Sequence, residues 1–207
     1  MEILAVTGQT RTDLSKGATS AARREGNIPA VLYGGDEVIH FTTTKKQVKN
    51  LIYTPDFKLV EITVEGKTHR AILKDVQFHP VTDDILHIDF LRLIEDHPIK
   101  VSLPVRFKGI AVGVKSGGKL QQNLRRVKVK TTPDKLIDQI VVDVTTIEMG
   151  QSVRVRDIQV KEGIEILSPA SQPLATIEVP RVLRSATSAA EKEGGIDEEG
   201  AEEETED

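Results

Sequence analysis

The chain has 207 residues, 38% apolar and 29% charged, a size that holds one large domain or two small ones and a balance suited to a soluble globular protein. It has no cysteine, which excludes disulfides and thiolate metal sites and fits a reducing compartment. The formal net charge of −4 is uneven: residues 1–95 carry −1, residues 96–184 carry +6 and residues 185–207 carry −9. Overall acidity therefore does not exclude a nucleic-acid partner, because a local cluster makes the electrostatic footprint.

The opening MEILAVTGQTRTDL lacks a basic stretch followed by an apolar core, and no run of about 18 apolar residues exists. Neither a signal peptide nor a membrane span is expected, and the chain is read as cytoplasmic. Thr10 to Arg24 reads as a loop leading into a short helix of small and basic residues. Asn27-Ile28-Pro29 ends it, and Ala30-Val31-Leu32-Tyr33 is predicted as a strand. A second helix is predicted over residues 44–52, from Val48, Leu51 and Ile52 at helical spacing behind Thr44 as a cap. Leu59 to Val64 alternates, Glu65-Gly66 turns, and Thr68 to Val76 alternates again, the signature of a hairpin. A last strand is predicted from Leu86 to Leu93. The first body is thus expected to be a mostly antiparallel sheet or small β-barrel with two helices.

All seven aromatic residues lie at or before Phe107, which points to two bodies with different cores. The joint is placed at Glu95-Asp96-His97-Pro98, where a proline and polar flanks interrupt any ladder. The predicted division is a β-barrel domain over 1–95, an all-β sandwich- or barrel-like domain over 98–184, and an acidic tail over 185–207. The second body is a series of β-branched runs with turn residues at roughly ten-residue spacing: Ile99–Phe107, Arg126–Lys130, Ile140–Val144, Val153–Ile158, Ile164–Leu167 and Ala175–Val179. The tail has almost no apolar content and a run of like charge, so it is expected to be disordered.

Two stretches invite a chemical reading. Gly113-Val114-Lys115-Ser116-Gly117-Gly118-Lys119-Leu120 is G-x-x-x-x-G-K followed by leucine, where a phosphate-binding loop needs a hydroxyl for magnesium. It also lies among predicted strands rather than at the start of a helix in a parallel α/β unit. A flexible basic loop is the better reading, and Lys115, Lys119, Arg125 and Arg126 could contact phosphate from it. The other stretch is QFHPVTDDILHIDFLRL. Its spacing of His79, His87 and Asp89 matches no compact metal-ligand pattern. With Leu86, Ile88 and Phe90 toward a core, alternation sets His87 and Asp89 together on the other face. Such a pair is either solvated surface or a reader of bases, the carboxylate accepting from exocyclic amines and the imidazole stacking or bonding. No cysteine nucleophile and no G-x-S-x-G elbow exist, and His40, His69 and His97 are scattered. No catalysis, cofactor or metal is expected.

Taken in order, Lys16-Gly17-Ala18, Arg23-Arg24-Glu25-Gly26, Ile28 to Gly35, Asp75-Val76-Gln77-Phe78-His79-Pro80 and His87-Ile88-Asp89-Phe90 resemble a known family. It is the bacterial large-subunit ribosomal protein twenty-five family, in its long two-domain form known as the general stress protein CTC. Leu103-Pro104-Val105, Phe107-Lys108-Gly109 and Val142-Asp143-Val144 extend the resemblance through the second half, so that it covers about residues 1–180. The resemblance implies a non-enzymatic ribosomal protein whose first domain, a small β-barrel with helices, binds 5S ribosomal RNA at the widened minor groove of the loop E region. Carried over by position, Lys16 and Arg23 would be phosphate or groove contacts. Tyr33, Gln77, His79, His87 and Asp89 would lie on the RNA-facing surface, with Arg92 at its flank. Arg11 and Arg24 join them on charge and placement. The sequence departs from the family where many members carry more arginine just before the Arg23 position; Ser20 and Ala21 stand there. The second domain would meet neighbouring ribosomal proteins or 23S ribosomal RNA. Two readings from other classes compete: a non-ribosomal protein–protein adaptor working through the second β domain, and an NTP-binding enzyme resting on the incomplete loop at 113–120.

Overall fold

The computed structural model describes residues 1–35, 37–160 and 163–180. Six strands close into a barrel: β1 (Ile3–Thr10), β2 (Asn27–Tyr33), β3 (Ile39–Thr44), β4 (Leu59–Val64), β5 (Lys67–Phe78) and β6 (Ile85–Arg92). Their order around the wall is β1-β3-β2-β6-β5-β4. Two seams, β1 with β4 and β2 with β6, are parallel, and the other four are antiparallel. Alternation sends one side of each strand inward. β4 buries Val60, Ile62 and Val64, β6 buries Ile88 and Phe90, and β2 buries Ile28, Ala30 and Leu32. The Phe41 and Phe90 rings stack at the centre, their centroids 5.9 Å apart. Each of these buried side chains larger than alanine contributes about 1.5–3 kcal/mol.

The β4–β5 hairpin is the one expected. Glu65 (φ 52°) and Gly66 (φ 78°) are both left-handed, the two-residue turn whose twist matches that of paired strands. β5 runs longer than expected because two register shifts, between Leu73 and Asp75 and between Gln77 and Phe78, let it bend and continue. β2 starts at Asn27, not Ala30. Pro29 fits inside it because pairing with β6 begins only at Ala30, so one flank is open where the donor is missing. β1 and β3 were not expected; β1 buries only Val6 fully, and β3 ends in three threonines, so neither carries a strong apolar pattern.

Two helices decorate the barrel. In α1 (Lys16–Arg24) the Ser15 hydroxyl accepts from the Ala18 amide at 3.3 Å, and Gly26 (φ 82°) lets the chain leave the helix. α2 (Lys45–Ile52) buries Val48 and Leu51. Thr44 precedes it as expected, but its side chain makes no capping bond.

The remaining strands are β7 (Ile99–Lys108), β8 (Lys119–Gln122), β9 (Arg126–Thr131), β10 (Ile140–Asp143), β11 (Ser152–Arg154), β12 (Ile164–Ile166) and β13 (Pro173–Glu178), with a one-turn helix α3 (Val112–Lys115). They form a four-stranded sheet, β10-β7-β9-β12, and a three-stranded sheet, β11-β13-β8. The strand expected over Val153–Ile158 stops at Arg154. A 3-10 turn follows over Val155–Asp157, where the Asp157 carboxylate accepts from the Arg154 amide at 2.9 Å, a local bond that competes with the ladder. β8 was not expected, because KLQQ has a single apolar residue.

Compactness divides the chain elsewhere than at the Glu95–Pro98 joint. One unit takes Met1–Arg106, Arg126–Val141 and Gln159–Ser168; the other takes Phe107–Arg125, Val142–Ile158 and the described residues from Pro169. Bonds within the first unit explain its extent: Arg106 Nη2 meets Asp56 at 2.6 Å, Lys74 Nζ donates to the Lys100 carbonyl at 3.1 Å, and Arg126 Nη2 donates to the Pro55 carbonyl at 3.4 Å. The acidic tail lies outside the described residues. Among those described, no helix is long and apolar enough to cross a membrane.

Candidate nucleic-acid interface

β6 supplies the centre of the site. Ile88 and Phe90 point inward, so His87 and Asp89 share the outer face, as alternation requires. His87 Nδ1 and Asp89 Oδ1 are 2.7 Å apart, each side chain just over a quarter exposed. In the tautomer whose Nδ1–H donates to Asp89, the imidazole presents Nε2 as an acceptor. Ladder register then places the neighbours. Gln77 stands opposite His87, Val31 and Asp75 flank Asp89 on either side, and Tyr33 stands opposite Leu91.

Asp75 is the residue that sequence reasoning missed. Two carboxylates directly opposite repel, an arrangement that burdens the free protein unless donors arrive. The signal was in the sequence, since Asp75 and Gln77 alternate on β5; the register that brings Asp75 to Asp89 was not. Burial, then the charges of Asp89 and Asp75, push the Tyr33 phenol above its usual 10.0. It is therefore a hydroxyl donor at any physiological pH.

Below this face, His79 is fixed by its own loop. Its Nδ1 accepts from the Val81 and Thr82 amides at 3.3 and 3.2 Å, which puts the ring proton on Nε2. The two histidines thus carry opposite polarity, His79 offering a donor and His87 an acceptor. Arg23 is anchored at one edge, its Nε donating to the Leu86 carbonyl at 3.0 Å. Lys45 bonds Asp84 at 3.0 Å nearby; the ammonium holds that carboxyl below its ordinary value and is itself raised. Arg23, Lys45, His79 and Asp84 line one recess of about 260 Å³.

The other expected residues divide. Lys16 and Arg24 stand exposed on α1. Arg11 is committed to structure: its Nη2 donates to Thr19 Oγ1 at 2.8 Å and to the Asp13 carbonyl at 3.3 Å, tying the end of β1 to α1. Arg92 is set apart from the face. Alternation along β6 turns it the same way as Phe90, toward the end of the barrel. There its guanidinium packs on Gly35, where a Cβ would come within 2.6 Å of Nη1, and its buried Nε has no partner among the described residues. Its charge, after burial, helps hold His69 below 6.5.

The glycine-lysine stretch 113–120 has a packing explanation. A Cβ on Gly113 would lie 2.6 Å from the Met149 nitrogen, and one on Gly118 would lie 2.6 Å from Ile177 Cγ2. The Gly118 amide donates to the Gly113 carbonyl at 2.8 Å, closing the turn, and a strand rather than a helix follows. Lys119 stands opposite Glu178 on β13, and Leu120 opposite Ile177. Lys115, Lys119 and Arg125 belong to the second compact unit and Arg126 to the first. Among the described residues no group of three or more His, Asp or Glu side chains is arranged to hold a metal ion.

Two family models match in series: the Ribosomal L25p family over residues 6–90, and the ribosomal protein TL5 C-terminal domain over residues 98–181. Among curated relatives, the large ribosomal subunit protein bL25 of Bacteroides fragilis is 39% identical over 197 residues, which cover 93% of this chain and all of the relative. The proteins of the same name from Phocaeicola vulgatus and Porphyromonas gingivalis are each 39% identical, over 93% and 90% of this chain and 100% and 97% of their own lengths. Chain-long similarity, with both halves matched in order, establishes that the chain belongs to the bL25 family of large ribosomal subunit proteins.

Proposed function

We propose that the chain is a structural, non-enzymatic component of the large ribosomal subunit in the cytoplasm, and that residues 1–95 bind 5S ribosomal RNA through the outer face of β2, β6 and β5. The observation that carries this reading is the His87–Asp89 pair at 2.7 Å, set between Gln77, Tyr33 and Asp75 on one face. A carboxylate among phosphates is expensive unless it accepts well-placed hydrogen bonds. The guanine amino group supplies such a donor in a minor groove, and an irregular RNA helix opens that groove to side chains. Asp89 and Asp75 accept, Tyr33 and His79 donate, and Lys16, Arg23 and Arg24 supply the salt-dependent part of the affinity. Residues 98–184 form the second functional domain, directed at neighbouring ribosomal components.

The test is a titration of the protein with 5S ribosomal RNA and with an unrelated RNA duplex at several salt concentrations. Tighter binding to 5S RNA that persists as salt rises is expected. Equal affinity for the two would sink the recognition claim.

A further inference from the structure

The exposed side of the β7–β9 ladder carries cations that the barrel face does not use. Val101, Leu103, Val127 and Val129 point to the core, so Lys100, Arg106, Arg126, Lys128 and Lys130 share the other side. Register sets Lys100 directly opposite Lys130 and Lys128 opposite Ser102. On β9 the cations recur every second residue, about 6.7 Å apart along the strand. Like charges facing across a ladder are destabilising. Among the described residues two find relief: Lys130 pairs with Glu165 at 3.4 Å and Arg106 with Asp56 at 2.6 Å.

β5 adds one more. Lys74 falls at the register shift between Leu73 and Asp75, and a bulge of this kind re-aims a side chain out of strict alternation. Its Nζ reaches the Lys100 carbonyl at 3.1 Å. Lys74, Lys100, Arg126 and Lys128 all line one cleft of about 480 Å³ within the first compact unit. Among the described residues none of the four has a carboxylate at ion-pair distance; Lys74 and Arg126 spend hydrogen bonds on backbone carbonyls instead.

We propose that this cleft is a second RNA site, one that takes the sugar-phosphate backbone of a strand without reading its bases. Charge complementarity selects the occupant. Four cations in one cleft, without an ion-pair partner among the described residues, match a polyanion, and each one that meets a phosphate releases condensed counterions. The lining has no histidine, and its five cations outnumber its two carboxylates, Asp56, which Arg106 holds, and Asp75, which the barrel face shares, so the site positions rather than specifies. It is separable from the 5S reading: the two share β5 through Lys74 and Asp75, but the cations tested here, Lys100 and Lys128, lie on β7 and β9 and concern a term in the affinity that is blind to sequence.

The experiment compares the full-length wild type, K100Q/K128Q and the charge-preserving K100R/K128R, after thermal melts verify equal folding. Each is titrated with an unrelated RNA duplex, with 5S ribosomal RNA and with a polyglutamate peptide, at several salt concentrations. In K100Q/K128Q, affinity for the unrelated duplex is expected to fall roughly 10- to 50-fold near 0.1 M salt, and the slope of log K against log salt to become shallower by about 1.5. K100R/K128R should keep both values. An unchanged slope in folded K100Q/K128Q overturns the proposal. So does a loss confined to polyglutamate, which would make the cleft a site for an acidic protein. The 5S reading fails separately, through absence of any 5S preference in the wild type.

Discussion

The stretches Phe78–Asp89 and Gly113–Leu120 look similarly charged with chemistry as sequence, and they differ once folded. In the first, polar side chains are held by their neighbours with hydrogen-bonding capacity left over, His79 by two amides and His87 by Asp89, while the Leu86 carbonyl of the same stretch holds Arg23 of α1. In the second, the glycines are used up by close backbone approach, and Lys119 stands opposite a carboxylate. A residue type suggests chemistry; what remains unsatisfied after packing decides whether any is on offer.

Gly113→Ala gives the largest effect on stability. The added Cβ meets backbone, which yields less readily than a side chain, so a loss of about 1–3 kcal/mol is expected in denaturant unfolding. Lys119→Ala should stay within about 0.5 kcal/mol as an exposed substitution. A wild-type midpoint for Gly113→Ala would break the packing account and reopen the phosphate loop.

On the other side of the comparison, Asp89→Ala should reduce the preference for 5S RNA over an unrelated duplex by about 1–3 kcal/mol, while binding to the duplex is kept. Preference equal to that of the wild type would remove base reading from Asp89. Asp75→Asn sharpens the point: with the facing charges reduced, thermal stability of the free protein should rise while 5S preference falls. Arg23→Ala should weaken binding to both RNAs and flatten the salt slope by about 1, since a phosphate contact carries no sequence information.

The smallest effect concerns pH. His69 titrates below 6.5 in the folded protein, mainly through burial and then through Arg92 and Lys67. As pH falls through 6.5 the unfolded chain takes up that proton first, so the stability His69 contributes is complete above 6.5 and declines from there through the lower folded value. Between pH 7.5 and 5.5 the wild type should therefore lose more melting temperature than His69→Gln. Parallel losses in both proteins would assign the acid response elsewhere.

Local patterns were legible from the sequence. The hairpin at Glu65-Gly66, the helices around 16–24 and 44–52, and the shared face of His87 and Asp89 all follow from periods of 2 and 3.6 and from turn chemistry, which need only neighbours in the chain. The family, too, was readable from an ordered set of short motifs. Strands with weak patterns, β1, β3 and β8, were not, because their pairing is specified by partners far away in sequence. Nor was the extent of β5, whose bulges depend on β6.

What only the tertiary structure decided is which side chains stand together and which are spent. Register across β2, β5 and β6 brought Asp75 to Asp89, and alternation at the end of β6 withdrew Arg92 from the face they share. Pairing of β7 with β9 set Lys100 and Lys128 on one side of the ladder, in one cleft with Lys74 from β5. One dimension sets the side on which a residue points. Three are needed to set what it meets there, because ladder register and loop closure join residues that no sequence period connects.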